Sequence, residues 1–132
     1  MQKLKINDII KRIERQETFE ATAFDNSFSI KINRYVPYCC TAIHDGSNFR
    51  EQLKKKITLD EFQRWFEEDP HTGVFISAMP ITISGLDSRF EYDLNRRPED
   101  CIYEEAWGNK VWNRPLTPTE KQTSKQKHFN FR

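Results

Sequence analysis

Apolar residues recur along this chain with two different periods. Ile6, Ile9, Ile10 and Ile13 fall at helical spacing, so residues 6–14 are expected to form a short amphipathic helix, capped by Asn7 or Asp8. The period then drops to two. Phe19, Ala21 and Ala23 alternate with polar residues, Asp25-Asn26 turns the chain, and Phe28, Ile30 and Ile32 alternate on the return. That predicts a β-hairpin over 18–32. Residues 36–43, Val36-Pro37-Tyr38-Cys39-Cys40-Thr41-Ala42-Ile43, are apolar almost without a break. This is the pattern of a strand buried on both faces, central in a sheet that helices cover. Pro80 to Ser84 reads as a further strand.

Helix signals punctuate the rest. Phe49 to Lys56 suits a short helix or turn. Thr58-Leu59-Asp60-Glu61 has the form of a capping box, with Ile57 and Phe62 as its hydrophobic staple. The helix it starts should run to about Glu67 and bury Leu59, Phe62 and Phe66, with Trp65 a further candidate. Thr117-Pro118-Thr119-Glu120 is a second capping box with proline in the first turn. The basic and polar helix that follows has only His128, Phe129 and Phe131 to bury. No repeat and no low-complexity linker interrupts the chain.

Candidate chemistry gathers at three places. The first is Ser88 to Asp100, which holds three arginines, Asn95 and four carboxylates, with Phe90, Tyr92 and Leu94 alternating among them. Alternation predicts a strand with one buried face, and Pro98 ends it. Arg96 and Asn95 then sit at the strand's end, where an arginine fork and an amide suit a planar carboxylate. A charged edge strand laced with surface ion pairs has the same spacing. The second place is His44-Asp45-Gly46-Ser47-Asn48, after the apolar run, where α/β sheets bind ligands. A histidine there can take a metal through one ring nitrogen while a carboxylate orients the other, and Gly46 allows backbone to approach a ligand. The third is Glu67-Glu68-Asp69-Pro70-His71-Thr72-Gly73, three carboxylates at a helix C-terminus, where the dipole prefers cations. It is either a solvated acidic loop or a site, as a broken local rule can indicate.

Ser88-Arg89-Phe90 followed by Asp93-Leu94-Asn95-Arg96 resembles the signature of the N-formylglutamate amidohydrolase family, and a similar Asp-Leu-Asn-Arg run occurs in zinc carboxypeptidases. Tyr103-Glu104-Glu105-Ala106-Trp107-Gly108 and Val111-Trp112 are similar to a subgroup of that family. The resemblance runs from about Ile6 to the C-terminus, and implies the first part of a zinc-carboxypeptidase-like three-layer α/β fold with a mixed sheet, preceded by the helix and hairpin. It implies a metal-dependent amidohydrolase of N-acyl amino acids such as N-formylglutamate. Asn95 and Arg96 would hold the substrate carboxylate, and Arg89 would polarise the scissile carbonyl. His44 would be the first ligand of zinc or another divalent metal, with Asp69, or its neighbour Glu68, the acidic ligand. Two positions depart from the pattern: Asp45 stands where the family often has Ser or Ala, and Gly73 where it often has a further Asp. The family's second histidine and its general base come from a second half and have no counterpart in these 132 residues. The expectation is therefore one incomplete domain over 1–132, from a longer enzyme or a shortened homologue. By itself it should be inactive, with an exposed sheet edge that favours self-association and a C-terminal helix short of packing surface.

Composition narrows the alternatives. The chain carries 21 basic and 20 acidic side chains for a net charge of +1, which argues against a polyanion-binding surface. Ten phenylalanines and three tryptophans supply much of a thin core. Three cysteines, two of them adjacent, form no metal-type spacing and read as reduced, buried thiols of a cytoplasmic protein. No apolar run reaches membrane-spanning length. The enzyme reading competes with a non-catalytic carboxylate-binding module that has lost the metal chemistry.

Overall fold

The computed structural model describes all 132 residues, Met1–Arg132. Its elements follow in the order β1 (Gln2–Leu4), α1 (Ile6–Glu14), β2 (Phe19–Ala23), β3 (Phe28–Ile32), β4 (Cys40–Ala42), α2 (Glu51–Lys54), α3 (Glu61–Glu67), α4 (Thr72–Ile76), β5 (Ile81–Gly85), β6 (Glu105–Ala106), β7 (Asn109–Lys110) and α5 (Pro118–Phe131). Strands β1 to β5 form one mixed sheet in the order β1-β2-β3-β5-β4, so the protein is mixed α/β. No helix is long and apolar enough to cross a membrane.

The hairpin forms as its alternation requires, with Ala21 opposite Ile30 and Phe19 opposite Ile32. Ala21, Ala23, Phe28, Ile30 and Ile32 all bury on one face, where Ile9 of α1 covers them. Helix α1 buries only Ile9 fully, while Ile10 and Ile13 stay exposed. Its N-cap is Lys5 and has no side-chain hydrogen bond; Asp8 sits in the first turn, where the dipole favours it.

The apolar run at 36–43 is corrected by the sheet. Only Cys40–Ala42 is a strand, it lies at the sheet's edge, and Tyr38, Cys39 and Thr41 are exposed. Pro37 cannot donate to a ladder, and the run is too short to cross the sheet once it follows the proline. The exposed Cys39 thiol also departs from the expected burial, whereas Cys101 is buried.

Strand β4 runs parallel to β5, with Ala42 opposite Ser84, and the pairing resumes as a bridge between Asn48 and Asp87. Residues 43–47 therefore face only 85 and 86, and the surplus chain loops outward carrying His44. Gly46 permits this because its backbone presses on Leu86, where any Cβ would overlap the Leu86 carbonyl.

A second core lies beyond the strand ends. Phe49, Leu53, Ile57, Phe90, Tyr103, Val111, Trp112 and Leu116 bury together, and the Trp112 indole donates to the Tyr103 carbonyl at 2.7 Å. The expected strand at 88–96 is replaced here by consecutive turns. Phe90, Glu91, Tyr92 and Asp93 are all buried, so the segment threads between two surfaces and has no solvent face for alternation to report.

Two helices differ from expectation. The cap of α3 is Asp60, which accepts from the Gln63 amide while the Gln63 side chain returns the bond, so the box starts two residues later than Thr58. Phe62, Trp65 and Phe66 face outward while Arg64 and Glu68 are buried, and the staple between Ile57 and Phe62 does not form. Helix α5 begins at the expected Thr117–Glu120 box. It does have a surface to pack on, since Ser124 and His128 are fully buried and Phe131 meets Phe28 edge-on at 5.7 Å.

Candidate functional site

Asp93 is the hub of the site. It is 1 % exposed, on the turn that replaces the expected strand. Its Oδ1 accepts from His44 Nε2 at 2.6 Å and from the Asn95 backbone amide at 2.8 Å. Its Oδ2 accepts from the Tyr103 hydroxyl and lies 3.4 Å from Arg89 and 3.7 Å from Arg96. Burial alone would raise this carboxyl; the bonds from His44, Tyr103 and the Asn95 amide outweigh it and hold Asp93 well below the usual carboxylate range. Conversely, burial and then the bond to Asp93 push the Tyr103 hydroxyl up to about 12.

The arginines are positioned by aromatic faces. Arg89 donates from Nε to the Tyr103 hydroxyl at 3.1 Å and lies over the Trp107 ring at 5.2 Å. Burial works against its charge, but Tyr103, Asp93 and Asp69 more than restore it. Arg96 lies over the Tyr103 ring at 4.7 Å with its side chain half-exposed, at the edge of a cleft of about 600 Å³. Asn95 and Arg97 share that cleft with Lys121 and Lys125 of α5 and with four carboxylates, Glu99, Asp100, Glu104 and Glu105. Arg97 is paired with Asp100 at 2.6 Å, and Arg96, paired with the buried Asp93 at 3.7 Å, keeps its side chain half-exposed. From behind, the buried His128 ring bonds the Arg96 carbonyl at 2.8 Å through Nε2, which must carry the proton because a carbonyl only accepts.

His44 lies between two carboxylates. Its Nε2–H donates to Asp93, so in the neutral ring the Nδ1 lone pair faces Asp69 Oδ2 at 3.4 Å. Two acceptors face each other there, and either a cation or a ring proton between them resolves the conflict. The spacing fits two ligands of one tetrahedral ion, which stand about 3.3 Å apart for bonds of ~2.0–2.1 Å. A carboxylate behind the histidine is the usual way to fix its tautomer. No third His, Cys, Asp or Glu joins them as a ligand set. Glu68, the alternative acidic ligand, is buried and lines a different cavity with Ser47 and Arg64. Burial raises its carboxyl, against the opposing pull of Ser88, Arg64 and Arg89.

The structure thus brings together His44, Asp69, Arg89 and Arg96, residues up to 52 positions apart from 44 to 96. It joins Asn95 to them through its backbone amide and leaves its side chain exposed. Asp93 and Tyr103 were not singled out as site residues. Asp93 had a signal, being the acid that opens the Asp93-Leu94-Asn95-Arg96 run, whereas nothing local marks Tyr103. The two departures from the family pattern also meet: a Cβ on Gly73 would stand 2.7 Å from Asp45 Oδ2, so the Asp45 carboxylate fills space against Gly73.

Comparison with protein-family models, curated proteins and solved structures finds no match for this chain.

Proposed function

We propose that the chain carries the substrate-carboxylate and first metal-ligand residues of a zinc-carboxypeptidase-like amidohydrolase acting on N-acyl amino acids such as N-formylglutamate. The observation that supports it is the single Asp93 carboxylate, which gathers His44, Arg89, Tyr103 and the Asn95-Arg96 turn around one point. Arg96 presents its fork to the substrate carboxylate, with the Asn95 side chain beside it. Arg89, fixed by Tyr103 and Trp107, is placed to stabilise charge developing on the scissile carbonyl. Asp93 holds His44 in the tautomer that offers Nδ1 to a metal shared with Asp69. Zinc or another divalent cation held there would supply Lewis-acid polarisation of the carbonyl and a more acidic water. The reading places the protein in the cytoplasm, with self-association through the free edge of β4.

A non-catalytic carboxylate-binding module is the second reading. The contact between Arg89 and Asp69 Oδ2 at 3.6 Å favours it, because a guanidinium already balances the carboxylate that a metal would use. Zinc content and calorimetric titration with N-formylglutamate separate the two. The enzyme reading expects weakly retained zinc that His44→Ala abolishes, since two ligands hold the ion poorly. Both readings expect Arg96→Lys to weaken carboxylate binding by ~1–3 kcal/mol. Carboxylate binding with no uptake of added zinc favours the module. Unchanged binding in Arg96→Lys rejects both.

A further inference from the structure

Two apolar features of the surface have no partner within the chain, and the charges beside them are opposite. The first is a groove between α3 and the β6–β7 hairpin, where Leu59, Phe62, Phe66, Ala106 and Trp107 surround about 270 Å³. Phe62, Phe66 and Trp107 are 70 %, 68 % and 52 % exposed. The one charged residue in the lining is Glu67. The second feature is Phe129 on the outer face of α5, 73 % exposed. Lys125 stands four residues before it and Arg132 three after, so cations flank the ring on one helix face. Glu67, Lys125 and Arg132 are each outside any ion pair. We propose that a second copy of this chain covers both features: in a two-fold dimer, Phe129 of each copy enters the groove of the other.

Volume, charge and area together select that occupant. The groove is smaller than the roughly 300 Å³ at which small-molecule sites begin, so it suits a single inserted side chain. Phe129 brings an apolar ring, and Lys125, which also lines the cleft at Arg96, brings the cation that Glu67 lacks. A net charge of +1 leaves two copies without long-range repulsion. At ~200 Å² per ring, the exposed parts of Phe62, Phe66, Trp107 and Phe129 come to about 1,000 Å² over two copies. The polar rims add to this and carry the total into the range of about 1,200–2,000 Å² that stable interfaces bury. One contact alone would bury half as much. It would also leave a free groove at one end and a free ring at the other, and so extend into a chain of molecules; reciprocal exchange closes the pair. An anionic membrane surface does not suit the groove, because Glu67 and the exposed Glu61 would face it. The contact is separate from the free edge of β4, and the inference does not depend on the proposed amidohydrolase activity.

Sedimentation velocity of the full chain across the micromolar range tests this, with circular dichroism to show that each variant is folded. A reversible monomer–dimer equilibrium is expected. Phe66→Ser alters the groove and Phe129→Ser removes the inserted ring; both residues are exposed, so neither change reaches a core. Each should weaken dimerisation roughly ten-fold or more, as loss of a buried anchor does. Mixed together, one variant offers an intact groove and the other an intact Phe129, so the mixture should associate more tightly than either variant alone. Glu67→Lys should weaken the dimer about three-fold, and Lys125→Glu in the same chain should restore it. Should Phe66→Ser fail to fold, Phe62→Ser takes its place in the mixture. A chain that stays monomeric, or that grows beyond the dimer, overturns the inference. Association that Phe129→Ser leaves unchanged overturns it too: loss in Phe66→Ser would then mean that groove meets groove, and loss in Thr41→Lys that the β4 edge carries the contact. Variants that associate no better mixed than alone overturn it equally.

Discussion

Asp93 shows how one side chain organises a site. It accepts from His44, from Tyr103 and from the Asn95 amide of its own turn, so its charge is fixed by neighbours and not by solvent. Because its folded pKa is depressed, it contributes stability that is present above the ordinary carboxylate value of about 3.9 and lost as pH falls toward the depressed one. Asp93→Asn should remove that acid-side loss from the unfolding profile. It should also bring the Tyr103 hydroxyl below its value of about 12, since the bond to a charged acceptor is gone. Tyrosine-resolved NMR titration reads the second effect, and an unmoved Tyr103 would mean the two groups do not interact. Gly46 is decisive in a different way. Gly46→Ala would overlap backbone at Leu86, which cannot give way as a side-chain tip would, so a loss of roughly 3 kcal/mol or more is expected in chemical denaturation.

At the scale of elements, the C-terminal helix α5 reaches the carboxylate loop from behind. His128 is fully buried and donates to the Arg96 carbonyl at 2.8 Å. His128→Ala leaves that carbonyl without its donor and opens a void beneath the loop, at a cost of about 1–3 kcal/mol. Amide exchange at Asn95, Arg96 and Arg97 should then quicken, and His128→Gln, which keeps a donor, should restore part of the protection. Exchange unchanged in the alanine variant would show that the loop holds its own shape. Helix α3 offers the contrast: its cap and length are set locally, while the face it buries is chosen by Phe49 and Ser88, which lie outside it.

For the whole molecule, Arg50 ties the parts together. Its Nε lies 2.8 Å from Glu91 on the buried turn, and its NH2 donates to Ser124 Oγ at 2.8 Å and the Glu120 carbonyl at 3.1 Å in α5. Lys127 adds a second cation, 3.2 Å from Asp87 and 3.8 Å from Glu91. Burial raises the Asp87 and Glu91 carboxyls, and these cations only partly offset it. The network joins the sheet's end, the second core and α5. Arg50→Ala would leave Glu91, which is 0 % exposed, short of its main partner. A loss of roughly 3–5 kcal/mol is expected, with α5 amides exchanging faster than those of β2 and β3. Uniform loss of protection across sheet and helix would instead show that the molecule unfolds as one unit.

Local sequence was sufficient wherever the determining interactions are themselves local. The hairpin over 18–32 was legible because alternation and a two-residue turn fix its register, and α5 began where Thr117 and Glu120 could exchange bonds. The Asn95-Arg96 pair and His44 stand out by residue type and setting, whereas Arg89 and the choice of Asp69 within its acidic turn rest on the family resemblance. Tertiary structure decided the rest. Alternation at 90–94 meant burial on both sides and not a strand, because the second core takes Phe90 while α5 meets Glu91 and Tyr92. The apolar run at 36–43 became an edge because β5, arriving 41 residues after β4 begins at Cys40, inserted beside β3. The outward turn of Phe62 and Phe66 followed from Arg64 stacking on Phe49, a partner in another segment. Periodicity records which residues share a face; which face meets protein depends on contacts made across the chain, and those exist only once it has folded.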